Sequence, residues 1–121
     1  MSKRILVVED QEDNRRIVRD LLTSAGYEMI EATTGEEGIA LAEGHRPDLI
    51  LMDIQLPGLD GYEATRRIKA NPALRGIPVI AVTSYALSGD DARAFEAGCD
   101  AYVAKPFSPR ALLAKIREFV P

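Results

Sequence analysis

The sequence predicts an α/β fold, a doubly wound five-stranded parallel sheet of strand order 2-1-3-4-5 in a (βα)5 arrangement. Short β-branched and apolar runs alternate five times with segments whose apolar residues recur at helical spacing. Most of these strand runs are apolar throughout, which is typical of a parallel sheet covered by helices on both faces. With 121 residues, 46% of them apolar, the chain is expected to form one domain, residues 1–121.

Five segments carry the strand pattern. The first, "RILVVE", is the kind of β-branched run that forms a buried strand. The second, "YEMIEAT", alternates polar and apolar residues and ends without a charge, which favours an outer position. An outer second strand places the third between the first and the fourth. The predicted strands are 4–9, 27–33, 48–53, 77–84 and 101–105.

Five helical segments separate and follow these strands. Gly26 is expected to end the first helix as a glycine beyond its C-cap. Ser108 is a suitable N-cap for the last helix, and Pro109 suits its first position. The predicted helices are 13–26, 35–44, 61–71, 89–98 and 108–120. The buried stripe of the first helix is predicted to comprise Ile17, Val18, Leu21, Leu22 and Ala25, and that of the last Leu112, Leu113, Ile116, Phe119 and Val120.

Composition excludes several classes of function. No apolar run approaches the roughly 20 residues that span a bilayer, and no signal peptide is recognisable, so a cytoplasmic location without a membrane partner is expected. The net charge of -4 argues against direct nucleic-acid binding. Cys99 is interpreted as a small buried hydrophobe, and the lone His45 has no companions for a zinc site.

Polar side chains occur at the ends of four predicted strands. The first strand ends in Glu9 and Asp10, the third in Asp53, the fourth in Thr83 and Ser84, and the fifth in Lys105. Each could be an ordinary solvated loop residue, since aspartate also caps helices. However, the carboxyl ends of parallel strands share one edge, where ligands bind. We therefore expect these side chains to form one site.

The chemistry of this set points to phosphoryl transfer. Three crowded carboxylates repel one another unless one is protonated or a cation lies between them, and their oxygens favour Mg²⁺. Lys105 supplies a mobile positive charge and Thr83 a neutral donor. The sequence has no glycine-rich nucleotide loop, but a carboxylate can itself be the nucleophile. Asp53 is the candidate nucleophile, whereas Glu9 and Asp10 are better placed to hold the metal.

The chain resembles the receiver domain of two-component response regulators along essentially its whole length. Four motifs carry the resemblance: "VVED", "LILMDIQLPGLDG", "IPVIAVTS" and "AKPF". Each motif alone is modest, but all four in order at this spacing are highly specific. The chain is most similar to the single-domain receivers of chemotaxis and cell-cycle regulators, whose fold is flavodoxin-like. Receivers from hybrid kinases or larger regulators look the same.

The resemblance implies a phosphorylation-activated signalling switch. Asp53 would accept a phosphoryl group from a phosphohistidine on a sensor histidine kinase or a histidine phosphotransfer protein. Asp10, Asp53 and the backbone carbonyl of Gln55 would bind Mg²⁺ directly, and Glu9 would act through water. Lys105 would contact the phosphoryl oxygens.

The resemblance also implies how the signal leaves the site. Thr83 would move toward the phosphoryl group and Tyr102 would rotate inward, while the bond before Pro106 would be cis. The surface of the fourth helix, fifth strand and fifth helix would change and bind a downstream target or a fused output domain. Such a protein would catalyse only its own phosphotransfer and autodephosphorylation, as a monomer or weak dimer.

Some positions leave details open. Ser84 stands where many relatives carry alanine, and Tyr85 and Gln55 would flank the phosphoryl group. These residues leave the lifetime of the phosphorylated state open. Asn14 either lies where a kinase would dock or is a plain surface residue.

The sequence fits three other functions less well. A Mg²⁺-dependent phosphatase with an aspartyl nucleophile usually has a second acid two residues later, where this chain has Gln55. A binding-only pseudo-receiver is disfavoured by the intact set of Asp10, Asp53, Thr83 and Lys105. Flavin binding on this fold is disfavoured because the strand-end loops are acidic rather than hydroxyl-rich and aromatic.

Overall fold

The ten elements alternate strictly between strand and helix in a computed structural model that describes residues 2–83 and 90–121, without the side chains of residues 90 and 91. The strands are β1 (Arg4–Val8), β2 (Glu28–Ala32), β3 (Leu49–Asp53), β4 (Val79–Thr83) and β5 (Ala101–Ala104). The helices are α1 (Glu12–Ser24), α2 (Gly35–His45), α3 (Gly61–Ala70), α4 (Asp90–Ala97) and α5 (Pro109–Phe119).

The five strands form one parallel sheet of order β2-β1-β3-β4-β5, so the predicted fold class is confirmed. The register aligns the carboxyl ends of the strands. Val8 pairs with Met52, Asp53 pairs with Val82 and Thr83 pairs with Ala104. Residues that follow these positions therefore emerge along a single edge of the sheet.

Helices cover both faces of the sheet and divide the core into two layers. Alternate strand residues face opposite sides: Leu6 and Val8 belong to the layer beneath α2, α3 and α4, whereas Ile5 and Val7 belong to the layer beneath α1 and α5. Strands β3 and β4 are buried along their whole length, and β2 is the more exposed edge strand, as its alternating sequence predicts.

The predicted boundaries are close to those observed, but the stripe on α1 is partly wrong. Helix α1 ends at Ser24, and Gly26 follows with a φ of 88°, the left-handed conformation expected of a glycine beyond the C-cap. Val18 and Leu22 are buried, whereas Ile17 is 51% exposed. Consecutive helical residues point about 100° apart, so Ile17 lies at the border of the stripe and faces the loop after β5.

Cys99 is buried, as predicted, and its Sγ lies 3.8 Å from Oγ1 of Thr65. Burial raises the pKa of this thiol. A helix must contain about 20 apolar residues to span a membrane, and none in the described parts of the chain meets that requirement.

Candidate functional site

Three carboxylates meet at the carboxyl edge of the sheet. Glu9 and Asp10 leave β1, Asp53 ends β3, and one oxygen from each lies within 4.8 Å of the others. Glu9 and Asp53 are buried and Asp10 is half-buried. This is the convergence predicted from the strand ends.

Lys105 lies between two of these acids. Its Nζ donates to Oε1 of Glu9 at 2.9 Å and to Oδ2 of Asp53 at 3.2 Å. Burial disfavours the charged ammonium and is the largest single influence on its pKa. The hydrogen bond to Glu9 and the negative charges of Asp53 and Glu9 together outweigh burial, so the pKa of Lys105 is raised. The lysine is therefore a firmly held cation.

The cluster holds three acids, and the ammonium of Lys105 contacts two of them, Glu9 and Asp53. The pKa of the Asp10 carboxyl is raised, first by burial, then by a hydrogen bond with Glu9 and by the charge of Glu9. The cluster thus resists full ionisation, and a divalent cation would relieve its repulsion. Its donors are all carboxylate oxygens, a set that fits Mg²⁺.

The loop after β3 is shaped to present Asp53. The backbone N–H of Gln55 donates to Oδ1 of Asp53 at 3.0 Å, and that of Gly61 donates to the carbonyl of Ile54 at 3.1 Å. A Cβ on Gly61 would lie 2.2 Å from the carbonyl oxygen of Asp53. Only glycine lets helix α3 begin this close to the acid. The side chain of Gln55 is exposed.

Thr83 ends β4, and Tyr102 lies on β5, the strand that leads to Lys105. Thr83 is fully buried, and its carbonyl accepts the N–H of Lys105 at 2.7 Å. Tyr102 is half-buried, and its ring meets the half-exposed Phe95 edge-on, with centroids 6.1 Å apart. The peptide bond between Lys105 and Pro106 is cis.

The structure thus brings Glu9, Asp10, Asp53 and Lys105 into one cluster. Thr83 ends the neighbouring strand, and Tyr102 lies farther from the edge beside helix α4. Ser84 and Tyr85 lie outside the described residues.

The sequence left the role of one side chain near the site open and gave no role to another. The sequence left Asn14 open between a position where a kinase would dock and a plain surface position. In the structure it lines a small cavity together with Glu9 and Asp53. Arg15 was not singled out, although its Nη1 donates to the backbone carbonyl of Glu9 at 2.8 Å. The only signal for Arg15 was Glu12 three residues earlier, a spacing common on solvated helix faces.

The sequence matches the family described as the response regulator receiver domain over residues 5–117. The chain belongs to this family. The polar-differentiation response regulator DivK of Brucella anthropi is 47% identical over 120 residues, which cover 99% of this chain and 98% of the relative. DivK of Brucella ovis is 46% identical with the same coverage.

Solved receiver structures agree with the fold. The receiver domain of sensor histidine kinase PA1611 from Pseudomonas aeruginosa is 39% identical, with a TM-score of 0.93 and 99% of this chain and 98% of that chain covered. That structure is described with a magnesium ion coordinated in its active-site cleft. A response regulator from Chloroflexus aurantiacus is 30% identical, with a TM-score of 0.95 and the same coverage. This receiver domain is therefore a signalling switch of phosphorylation-dependent two-component signalling.

Proposed function

We propose that Asp53 accepts a phosphoryl group from a phosphohistidine of a sensor histidine kinase or a histidine phosphotransfer protein. One observation carries the proposal: the buried Asp53 carboxylate lies 3.2 Å from the ammonium of Lys105 within a cluster of oxygens suited to a divalent cation. Glu9 and Asp10 are the other acids of this cluster, but Asp53 ends the central strand and opens onto the loop before α3.

The chemistry assigns a role to each side chain. An oxygen of Asp53 forms a bond to phosphorus as the bond from phosphorus to the donor imidazole nitrogen breaks, and the imidazole keeps that electron pair. Lys105 stabilises charge on the transferring oxygens, and the hydroxyl of Thr83 can donate to one of them. Catalysis of this kind is mostly positioning and charge stabilisation.

The same residues would hold Mg²⁺. Asp10 and Asp53, with the backbone carbonyl of Gln55, would be direct ligands, and Glu9 would act through water. Glu9 already accepts from Lys105 and from the N–H of Gln11 at 3.2 Å, which suits a supporting role. Bound Mg²⁺ supplies charge neutralisation for the incoming phosphoryl oxygens. The magnesium in the PA1611 receiver supports this assignment.

The signal would leave through Thr83 and Tyr102. Movement of Thr83 toward the phosphoryl group would open space that Tyr102 fills, and Tyr102 would leave its edge-on contact with Phe95. Because Phe95 is half-exposed on α4, that movement would alter the surface of α4, β5 and α5, which would bind a downstream target protein or a fused output domain.

The donor would approach from the side of α1. A groove of about 570 Å³ lies beside Lys105 and includes Asn14, the exposed Ile17 and Phe107. A partner helix would bury apolar side chains against Ile17 and Phe107, close to the phosphoacceptor Asp53. The domain would act in the cytoplasm as a monomer or weak dimer, without nucleic acid or membrane, and would turn over no metabolite beyond its own acyl phosphate.

Incubation with acetyl phosphate and Mg²⁺, followed by intact mass measurement, tests the proposal. The protein should gain one phosphoryl group, and the gain should be lost in Asp53→Asn and on adding EDTA. Asp60→Asn is the matched control, because Asp60 caps α3 in the same loop and asparagine caps equally well. A gain that persists in Asp53→Asn contradicts the assignment. Sustained phosphate release from many substrates would instead indicate a phosphatase.

A further inference from the structure

Arg15 joins three elements around the exit of β1. Its side chain is only 12% exposed. Nη1 donates to the backbone carbonyl of Glu9 at 2.8 Å, Nε donates to Oε1 of Glu31 on β2 at 3.2 Å, and Nη2 contacts Glu12 in the first turn of α1. The guanidinium therefore ties the edge strand and the first helix to the acidic segment that follows β1.

The contact with Glu9 bears directly on Asp10. The N–H of Glu9 donates to the carbonyl of Ala32 at 3.0 Å, and its carbonyl accepts from Arg15, so both sides of this residue's backbone are held. The peptide unit is planar, and fixing the carbonyl of Glu9 fixes the N–H of Asp10 in the same plane. Asp10 forms no salt bridge with any side chain in the described parts of the chain. Apart from its hydrogen bond with Glu9, the direction of the Asp10 side chain therefore depends on its backbone.

We propose that Arg15 is a positioning residue that holds the segment Glu9–Asp10 so that the Asp10 carboxylate is ready to bind Mg²⁺. This inference rests on the proposed function. It requires arginine, because a planar guanidinium with five donors can serve three acceptors on three elements. A lysine at this position would keep the charge but lose this fork.

Two neighbouring arginines separate this role from general ion pairing. Arg19 shares both Glu31 and Glu12 with Arg15, but among the described residues no hydrogen bond or ion pair joins it to the segment after β1. Arg16 is 60% exposed and pairs with Asp13. If Arg15 merely contributed an ion pair, Arg15→Lys and Arg19→Lys would have similar effects.

The test measures the Mg²⁺ dissociation constant by isothermal titration calorimetry and the free energy of unfolding without Mg²⁺ on the same samples. Arg15→Lys should weaken Mg²⁺ binding by about tenfold, the lower end of the range for residues that support metal ligands. Arg16→Lys and Arg19→Lys should change it by less than about twofold, since surface ion pairs contribute little.

The outcomes are distinct. Arg15→Lys that loses stability but binds Mg²⁺ like the wild type overturns the positioning role and leaves the proposed function intact. Wild-type protein that binds no Mg²⁺ overturns both. If Arg15→Lys does not fold, Glu31→Leu decides, because leucine has no acceptor for the Arg15 guanidinium and so removes its anchor on β2 without altering Glu9 or Asp10. Weaker Mg²⁺ binding in that variant, with Arg19→Lys unchanged, supports the role, and unchanged binding overturns it.

Discussion

Lys105 and Asp53 are 52 residues apart in the chain, yet Nζ of the first lies 3.2 Å from Oδ2 of the second. The sheet order creates this contact. Lys105 follows β5, its N–H is held by Thr83 at the end of β4, and Asp53 ends β3 beside it. The same ammonium reaches Glu9, which follows β1, so one cation spans the edge of the sheet and joins two buried acids.

Lys105→Met should separate phosphoryl transfer from metal binding. The rate of phosphorylation by acetyl phosphate should fall by about 100-fold, because a preorganised positive charge on the transferring oxygens is lost. Mg²⁺ binding should be kept or strengthened, since the cation that competes for Glu9 and Asp53 is gone. Rates from intact mass and dissociation constants from calorimetry check the two effects.

Lys115→Met is the matched control for this change. Lys115 is a half-exposed lysine on α5 that pairs with Glu118. Both quantities should stay at wild-type values in it. A parallel loss of phosphorylation and Mg²⁺ binding in Lys105→Met would mean that the lysine serves the structure of the site rather than transfer.

Asp10→Asn should stabilise the protein in Mg²⁺-free buffer. Asp10 lies within 4.8 Å of two other carboxylates, and a like charge at that distance costs about 1 kcal/mol even with solvent screening. The free energy of unfolding, measured by urea denaturation with EDTA, should rise by about that amount. Added Mg²⁺ should stabilise the wild type but not the variant.

Asp13→Asn controls for the general loss of an acidic charge, because it should change the free energy of unfolding in the opposite direction. Asp13 is exposed in the first turn of α1, where a negative charge favours the helix dipole. This variant should be slightly less stable than the wild type and should retain the response to Mg²⁺. Destabilisation of Asp10→Asn without Mg²⁺ would contradict the repulsion argument.

Gly61→Ala should be strongly destabilising. The new methyl would lie 2.2 Å from the carbonyl oxygen of Asp53 and 2.7 Å from Cα of Ile54, both backbone atoms that cannot move without displacing the loop. Denaturant unfolding should show a loss of about 3 kcal/mol, the upper end of the usual cost of overpacking.

Gly44→Ala provides the comparison. Gly44 lies inside helix α2 with open space around it. The same substitution there should stabilise by about 0.5–1 kcal/mol through lower chain entropy in the unfolded state. Equal effects at the two glycines would show that the close approach to Asp53 is not what Gly61 provides.

The sequence was enough to predict the strand order and the acidic cluster, because both follow from local patterns. An apolar strand that ends in aspartate places that acid at the shared edge wherever the strand lies in the sheet. The alternating residues of β2 likewise indicate an edge strand without knowledge of its neighbours.

Contacts set by the angle between elements could not be predicted in this way. Ile17 belongs to the apolar stripe by spacing, but whether it is covered depends on how α1 leans against the loop after β5. Arg15 and Arg16 are indistinguishable in sequence, yet one reaches the carbonyl of Glu9 and the other points to solvent. The contact between Tyr102 and Phe95 also joins separate elements.

Glu31 makes stability depend on pH in a direction that can be worked out. The hydrogen bond from Arg19 is the main influence; with the charges of Arg19 and Arg15 it outweighs burial and lowers the pKa of the Glu31 carboxyl. The unfolded state therefore binds more protons in the acid range. The stabilisation is fully present above the ordinary glutamate pKa near 4.5, and it is lost as the pH falls through the lower folded pKa.

Glu31→Gln should accordingly lower the free energy of unfolding at neutral pH by no more than about 1 kcal/mol, since the pair is a third exposed to solvent. The difference from the wild type should shrink as the pH falls below about 4.5, because protonation removes the same charge from the wild-type protein. Urea denaturation across this pH range in Mg²⁺-free buffer measures the difference in the free energy of unfolding.

Glu28→Gln is the control. Glu28 lies on the exposed start of the same strand, and this variant should match the wild type at every pH. A Glu31→Gln effect that is constant with pH would show that the side chain acts through packing rather than through its charge.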